Sequence, residues 1–221
     1  IVAELPMRPG NVTATEGGRI FATVHPLSKP SGVQLIEITG KNAFRAWPSK
    51  ALQNDGTQFA DDKIDSPIGI YRDGANRLWI VDLGLHLGKT RVWGFDIASG
   101  DFVKRFDLPA DIAPKGSFVQ DLVVDETRGW IYLADVANPG IIALDMRSGR
   151  ARRFSGHPSL QVEPGTTMII DGKPVLFQGK PNEGAINPIT ISADKETIFF
   201  GAMNGRSWYG LPAQLLRDGA S

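Results

Sequence analysis

Short apolar runs recur along this chain, each set off by a polar turn. Ile20-Phe21-Ala22-Thr23, Leu78-Trp79-Ile80-Val81-Asp82, Ile131-Tyr132-Leu133-Ala134-Asp135 and Ile198-Phe199-Phe200-Gly201 each follow such a turn, and each turn follows an earlier run. The copies begin 58, 53 and 67 residues apart (78−20, 131−78, 198−131). Recurrence at this period marks a repeat fold. In the second copy, residues 68–71 alternate with a period of two and residues 72–76 supply turn chemistry. Residues 77–82 are mostly apolar and predict a strand buried on both faces. Residues 91–97 and 102–106 predict two more. The third copy repeats this over 121–125, 130–135, 141–145 and 151–154. The matching turns Asp96-Ile97-Ala98-Ser99-Gly100 and Asp145-Met146-Arg147-Ser148-Gly149 fix the register. The first copy covers 11–15, 19–25, 33–38 and 44–47. The fourth covers 187–192, 197–202 and 208–211, with no clear fourth strand.

Four short antiparallel strands per repeat describe the blade of a β-propeller, and the fold class is all-β. No helical period is sustained. A β-solenoid would repeat faster, and a β-sandwich would not repeat the Asp-x-x-Ser-Gly turn. The predicted blades cover about residues 9–50, 64–109, 117–157 and 185–221 of a single domain, with a loop insertion over 157–185. Residues 1–5 read as a spare strand of the kind that completes the last blade of a ring and protects its edges. The expectation is therefore part of a longer ring.

Composition narrows the function classes. Lys plus Arg equals Asp plus Glu at 24 each, so there is no basic footprint for nucleic acid or an anionic membrane. No apolar run is long enough for a membrane span. The chain has no cysteine, which excludes disulfides, thiolate metal sites and a Cys nucleophile. No signal peptide is visible in residues 1–6. Gly-x-Ser-x-Gly and phosphate-binding glycine loops are both absent.

Several phrases resemble the major royal jelly/yellow protein family. They are Pro9 to Thr13, Ser66 to Gly69, Arg77 to Asp82, Phe118 to Asp125, Trp130 to Asn138, Gly140 to Asp145 and Ser207 to Leu216. The resemblance covers nearly the whole chain. It implies a six-bladed propeller, with about four blades here and two more expected beyond Ser221. It also implies a secreted or periplasmic protein and a more distant similarity to gluconolactonase/regucalcin-type propellers. Small-molecule binding and, in some members, dopachrome-converting activity are what the family implies for function; the fold by itself fixes neither.

In a propeller the first strand of each blade lines the channel, and residues at its start face the mouth. Aligned on the turn that follows, these positions are Gly10-Asn11, Ser66-Pro67, Gln120-Asp121 and Asn187-Pro188. Asn11, Ser66, Gln120, Asp121 and Asn187 are the expected ligand-binding residues. The lactonase-like propellers hold a divalent metal at this place, which makes Asn11, Asp121 and Asn187 the expected ligands of a cation such as Ca²⁺. The first blade, however, has Gly10-Asn11 where those enzymes have Glu. The alternative is that these groups satisfy backbone amides. Asp82 and Asp135 end equivalent strands, and their recurrence points to a structural role.

His25, His86 and His157 share no metal-ligand spacing and read as loop packing. Trp79, Trp93, Tyr132, Phe199 and Phe200 read as core between blades, and Trp208 and Tyr209 as blade packing. The insertion is expected to cover part of the channel mouth. Three functions follow: a propeller that binds a small organic ligand, a metal-dependent lactonase-like hydrolase, and a protein-interaction propeller.

Overall fold

A computed structural model describes residues 2–30, 32–177 and 179–219. These gather into two compact units, Ile1–Lys115 and Gly116–Ser221. In the first unit, strands β1 (Pro9–Ala14), β2 (Ile20–Val24), β3 (Leu35–Gly40) and β4 (Ala43–Ala46) form one four-stranded antiparallel sheet. A second sheet holds β5 (Pro67–Arg72), β6 (Arg77–Asp82), β7 (Arg91–Asp96) and β8 (Phe102–Asp107). The second unit has a third such sheet, made of β9 (Val119–Asp125), β10 (Trp130–Asp135), β11 (Gly140–Asp145) and β12 (Ala151–Ser155). Two hairpins follow, β13 (Ile169–Ile170) with β14 (Lys173–Pro174) and β15 (Leu176–Phe177) with β16 (Lys180–Pro181). Its last sheet is three-stranded, β17 (Ile186–Ile191), β18 (Thr197–Ala202) and β19 (Trp208–Pro212), and a short helix α1 (Ala213–Asp218) stands where a fourth strand was left open.

Each sheet runs in sequence order, as consecutive hairpin connections require. The first strands of successive sheets pack side by side, β1 with β5 and β9 with β17. These are the blades of a β-propeller, two in each unit. The second and third strands supply the core: Leu78, Trp79, Ile80 and Val81 of β6 are all buried, as are Ile131 to Ala134 of β10. The outer strands are wet, and Phe102 and Val103 of β8 are exposed.

The repeated turns are built by their aspartates. Asp96 accepts from Ser99 N–H at 2.8 Å, and Asp145 accepts from Arg147 N–H at 2.8 Å and the Ser148 hydroxyl at 2.6 Å. Gly100 and Gly149 then take φ of 79° and 75°, the left-handed region that a side chain disfavours.

Two local expectations need correction. Residues 2–5 are not a strand, and Ile1 lies outside the described residues. Glu4 N–H donates to Lys41 O at 2.7 Å and Leu5 packs on the Ala22, Val24 and Ile36 cluster, so this segment belongs to the first blade. Phe199, Trp208 and Tyr209 are exposed, unlike Trp79, Trp93, Tyr132 and Phe200, because the described residues place nothing over that side of the three-stranded sheet. The insertion turns at Asp171-Gly172 between β13 and β14, and β15 with β16 forms a second exposed hairpin.

Candidate functional site

The corners of the second and third blades are held by the recurring aspartates. Asp82, with no exposed surface, accepts from the N–H groups of Asp65 (3.0 Å), Ser66 (2.7 Å) and Gly84 (3.1 Å). It also accepts from Trp93 Nε1 at 3.2 Å and pairs with buried Arg91 at 2.6 Å. Arg91 in turn donates to Asp61 O and Lys63 O. Asp135 does the same work, accepting from the N–H groups of Phe118, Ala137 and Asn138 and pairing with Arg153 at 3.1 Å. A buried charge so completely matched is a structural device.

The four first strands share a different feature. In β1 the pairing with β2 skips from Pro9 to Val12; in β5 it skips from Pro67 to Ile70; and in β17 from Ile186 to Ile189. In β9 the break falls between Val119 and Asp121. Each blade therefore carries a bulge at one register position, facing the second strand at Thr23, Val81, Ala134 or Gly201. A bulge leaves its extra residue unpaired and re-aims side chains. Asn11, Gln120 and Asn187 sit in these bulges and Asp121 closes one. Ser66 does not: the place equivalent to Gly10-Asn11 in the second blade is Ile68-Gly69, two residues further on. The leading Ser-Pro drew the sequence alignment to the wrong pair.

In the first unit, the bulge is fixed by Thr23. Its hydroxyl accepts from Asn11 N–H at 3.0 Å and donates to Ile68 O at 2.8 Å, which ties β1 to β5. In the second unit, Asp121 Oδ1 accepts from its neighbour Leu122 N–H at 2.9 Å, and its carboxylate also accepts from Ile189 N–H of β17. Asn187 lies two residues before Ile189 on that strand. Among the described residues no Lys or Arg pairs with Asp121, and burial pushes its pKa up to about 6 against the pull of those two N–H groups. Gln120 and Asn187 are half-buried, and among the described residues their side chains have no hydrogen-bond partner. The expected cation set of Asn11, Asp121 and Asn187 draws on both units. Among the described residues no three His, Cys, Asp or Glu side chains gather as a metal cluster.

A cleft of about 290 Å³ opens in the first unit, and sequence reasoning did not find it. Its walls include Pro26, Lys29, Phe59, Ser66 and His86. Asp65, 4% exposed, lies at its base and brings His86 within 2.5 Å of its Oδ1. Ser66, removed from the bulge set, reappears here with its hydroxyl donating to the same oxygen at 3.0 Å. The two partners are 21 residues apart on different loops, so no local spacing announces them. In the second unit, Asn204 pins the insertion, accepting from Gly184 N–H at 2.9 Å and donating to Asn182 O at 2.8 Å.

The four blades of this propeller thus share one break in pairing near the start of each first strand. The family is shown by comparison with known proteins: the family model of the major royal jelly proteins matches residues 65–221. This chain belongs to the major royal jelly protein family. It is 28% identical over 222 aligned residues to Protein yellow of Drosophila yakuba, covering 91% of this chain and 40% of that one. It is 23% identical over 165 residues to L-dopachrome tautomerase yellow-f of Drosophila melanogaster, covering 66% of this chain and 38% of the relative. The chain thus spans about two fifths of the length of these relatives. Among solved structures, hydrazine synthase of Kuenenia stuttgartiensis superposes with a TM-score of 0.57 at 12% identity, over 96% of this chain and 55% of the other. That likeness concerns the fold alone. No helix among the described residues is long and apolar enough to cross a membrane.

Proposed function

We propose that this chain is the binding part of a secreted or periplasmic, six-bladed propeller that takes a small organic ligand at the ends of its first strands. Asp121 carries this reading. It is a carboxylate kept largely out of water, at a bulge, with two backbone donors and no cation among the described residues. Retaining an incompletely matched charge costs stability, and perturbed groups of this kind cluster at functional sites. Asp121 offers a charged acceptor, while the Gln120 and Asn187 amides both accept and donate, so the ligand carries a donor for Asp121, an ammonium group first.

The test is titration with phenethylamine and its neutral N-acetyl derivative. The amine binds more tightly, and Asp121→Asn weakens it about tenfold, the loss expected for a charge-assisted hydrogen bond of roughly 1.5 kcal/mol. Binding of the amine also fades as pH falls through about 6, where Asp121 takes up a proton. Equal affinity for Asp121→Asn would end the reading. Tight Ca²⁺ binding that depends on Asp121 would favour the lactonase-like alternative. The relative named L-dopachrome tautomerase makes dopachrome conversion the enzymatic outcome to assay.

A protein-interaction role has one observation in its favour. Ile169, Ile170, Leu176 and Phe177 on the two hairpins of the insertion are all exposed. Ile170→Lys with Phe177→Lys should abolish any self-association seen by light scattering if these hairpins form an interface.

A further inference from the structure

We propose that the cleft of the first unit is a separate ligand site, in which His86 accepts a hydrogen bond and Lys29 holds an anionic group. It takes a small planar anion that also carries an O–H or N–H donor.

The chemistry begins with Asp65. Its Oδ2 accepts from the N–H groups of His86 and Leu87, both at 3.0 Å. Its Oδ1 accepts from the Ser66 hydroxyl at 3.0 Å and faces His86 Nδ1 at 2.5 Å. With donors on both oxygens, Asp65 acts as an acceptor throughout. A neutral imidazole carries one proton, and facing a carboxylate that proton sits on Nδ1. Nε2 then presents a lone pair. Fixing the tautomer of one ring nitrogen through the other is how proteins prepare a histidine for binding or proton transfer.

The ring is also fixed in orientation. Phe59 stacks on it with centroids 3.7 Å apart and planes 9° from parallel. Clamped by a carboxylate at one nitrogen and a phenyl ring on one face, His86 has given up most of its freedom before any ligand arrives. Yet its side chain remains 49% exposed, at the edge of the cleft. Loop packing alone does not account for this. The two backbone N–H bonds to Asp65 already hold the 83–88 loop, and neither needs an imidazole.

The rest of the lining sets the ligand class. Pro26, Pro30 and Pro67 give rigid apolar walls, which suit a flat molecule. Lys29 is exposed, carries the only ammonium group on the lining, and forms no ion pair among the described residues. The Asn54 side chain is already committed, donating to Ile64 O and Asp65 O and accepting from Gly56 N–H. Asp65 is likewise saturated. Among the lining side chains of the described residues, the polar groups left for a ligand are thus the His86 acceptor and the Lys29 cation. A volume of about 290 Å³ suits a single-ring molecule, at the small end of known ligand pockets. Ser66 is not a nucleophile here, since its hydroxyl is turned to Asp65 and not to His86.

The probe is 4-hydroxybenzoate, with benzoate lacking the donor and 4-hydroxybenzamide lacking the charge. Imidazole ¹⁵N spectra of the whole chain at about pH 8 report the tautomer directly. The expected result is a proton on Nδ1 of His86 and a shift of the Nε2 resonance on adding 4-hydroxybenzoate. Each control should bind about five- to tenfold more weakly, the loss that follows from one hydrogen bond or one partly exposed charge pair. Lys29→Ala, a change at an exposed side chain, should weaken 4-hydroxybenzoate to the level of 4-hydroxybenzamide. His86→Gln should weaken it to the level of benzoate. The proposal is overturned if the proton sits on Nε2, if millimolar 4-hydroxybenzoate leaves that resonance unmoved, or if Lys29→Ala binds as the parent does. Because the readout is the His86 ring, this result is independent of the Asp121 titration.

Discussion

Two aspartates, the fully buried Asp82 in the first unit and the half-buried Asp121 in the second, received opposite treatment from the fold. Asp82 meets three backbone N–H groups, an indole N–H and a fully buried guanidinium. Asp121 meets two backbone N–H groups and no cation among the described residues, and its pKa rises to about 6. One carboxylate organises a blade corner. The other is tolerated at a cost, at the bulge where the inner strand opens. A match to the surroundings marks structure, and an unresolved mismatch is what the proposed site rests on.

Substitutions should separate the two kinds. The largest effect belongs to Asp82→Ala. It strands Arg91 without its partner and removes the acceptor of three N–H groups, so urea denaturation should show a loss of about 3–5 kcal/mol in the first unit. A loss under about 1 kcal/mol would break the comparison at its structural end. Asp135→Ala comes next at about 2–4 kcal/mol, because Arg153 is partly exposed and can rehydrate. The smallest change is Asn187→Ala. Its amide has no partner among the described residues, so stability should move by less than about 0.5 kcal/mol. Amine affinity should fall, and an unchanged affinity would show that this bulge is not part of the site.

The blades were legible in the sequence for a physical reason. A strand buried on both faces must be almost wholly apolar, and a turn in the left-handed region favours glycine. Residues 77–82 and 130–135 and the two Asp-x-x-Ser-Gly turns therefore announce themselves. Recurrence also separated Asp82 and Asp135 from candidate catalysts. The bulges were half legible: three positions aligned correctly, while Ser66-Pro67 mimicked the small and polar pattern two residues early. The exposure of Phe199, Trp208 and Tyr209 was hidden, because an aromatic strand reads the same whether or not another surface covers it. The Asp65–His86 pair was hidden for a different reason. Its members come from separate loops, and only the fold of the first unit brings them together.

The claim that Asp121 is kept for binding at a cost to stability has a direct test. The stability of the parent chain and of Asp121→Asn is measured by denaturation from about pH 4 to about pH 8. The folded-state pKa of about 6 lies above the ordinary carboxylate value of 3.8. Between these values the folded chain binds more protons than the unfolded one, so the stability of the parent falls as pH rises through this window. At about pH 7 the carboxylate then costs on the order of 1–3 kcal/mol. The account predicts that Asp121→Asn is more stable than the parent by about this amount at pH 7, with the gain vanishing near pH 4. If Asp121→Asn is instead less stable at about pH 7, the carboxylate is a structural partner like Asp82, and the account is contradicted.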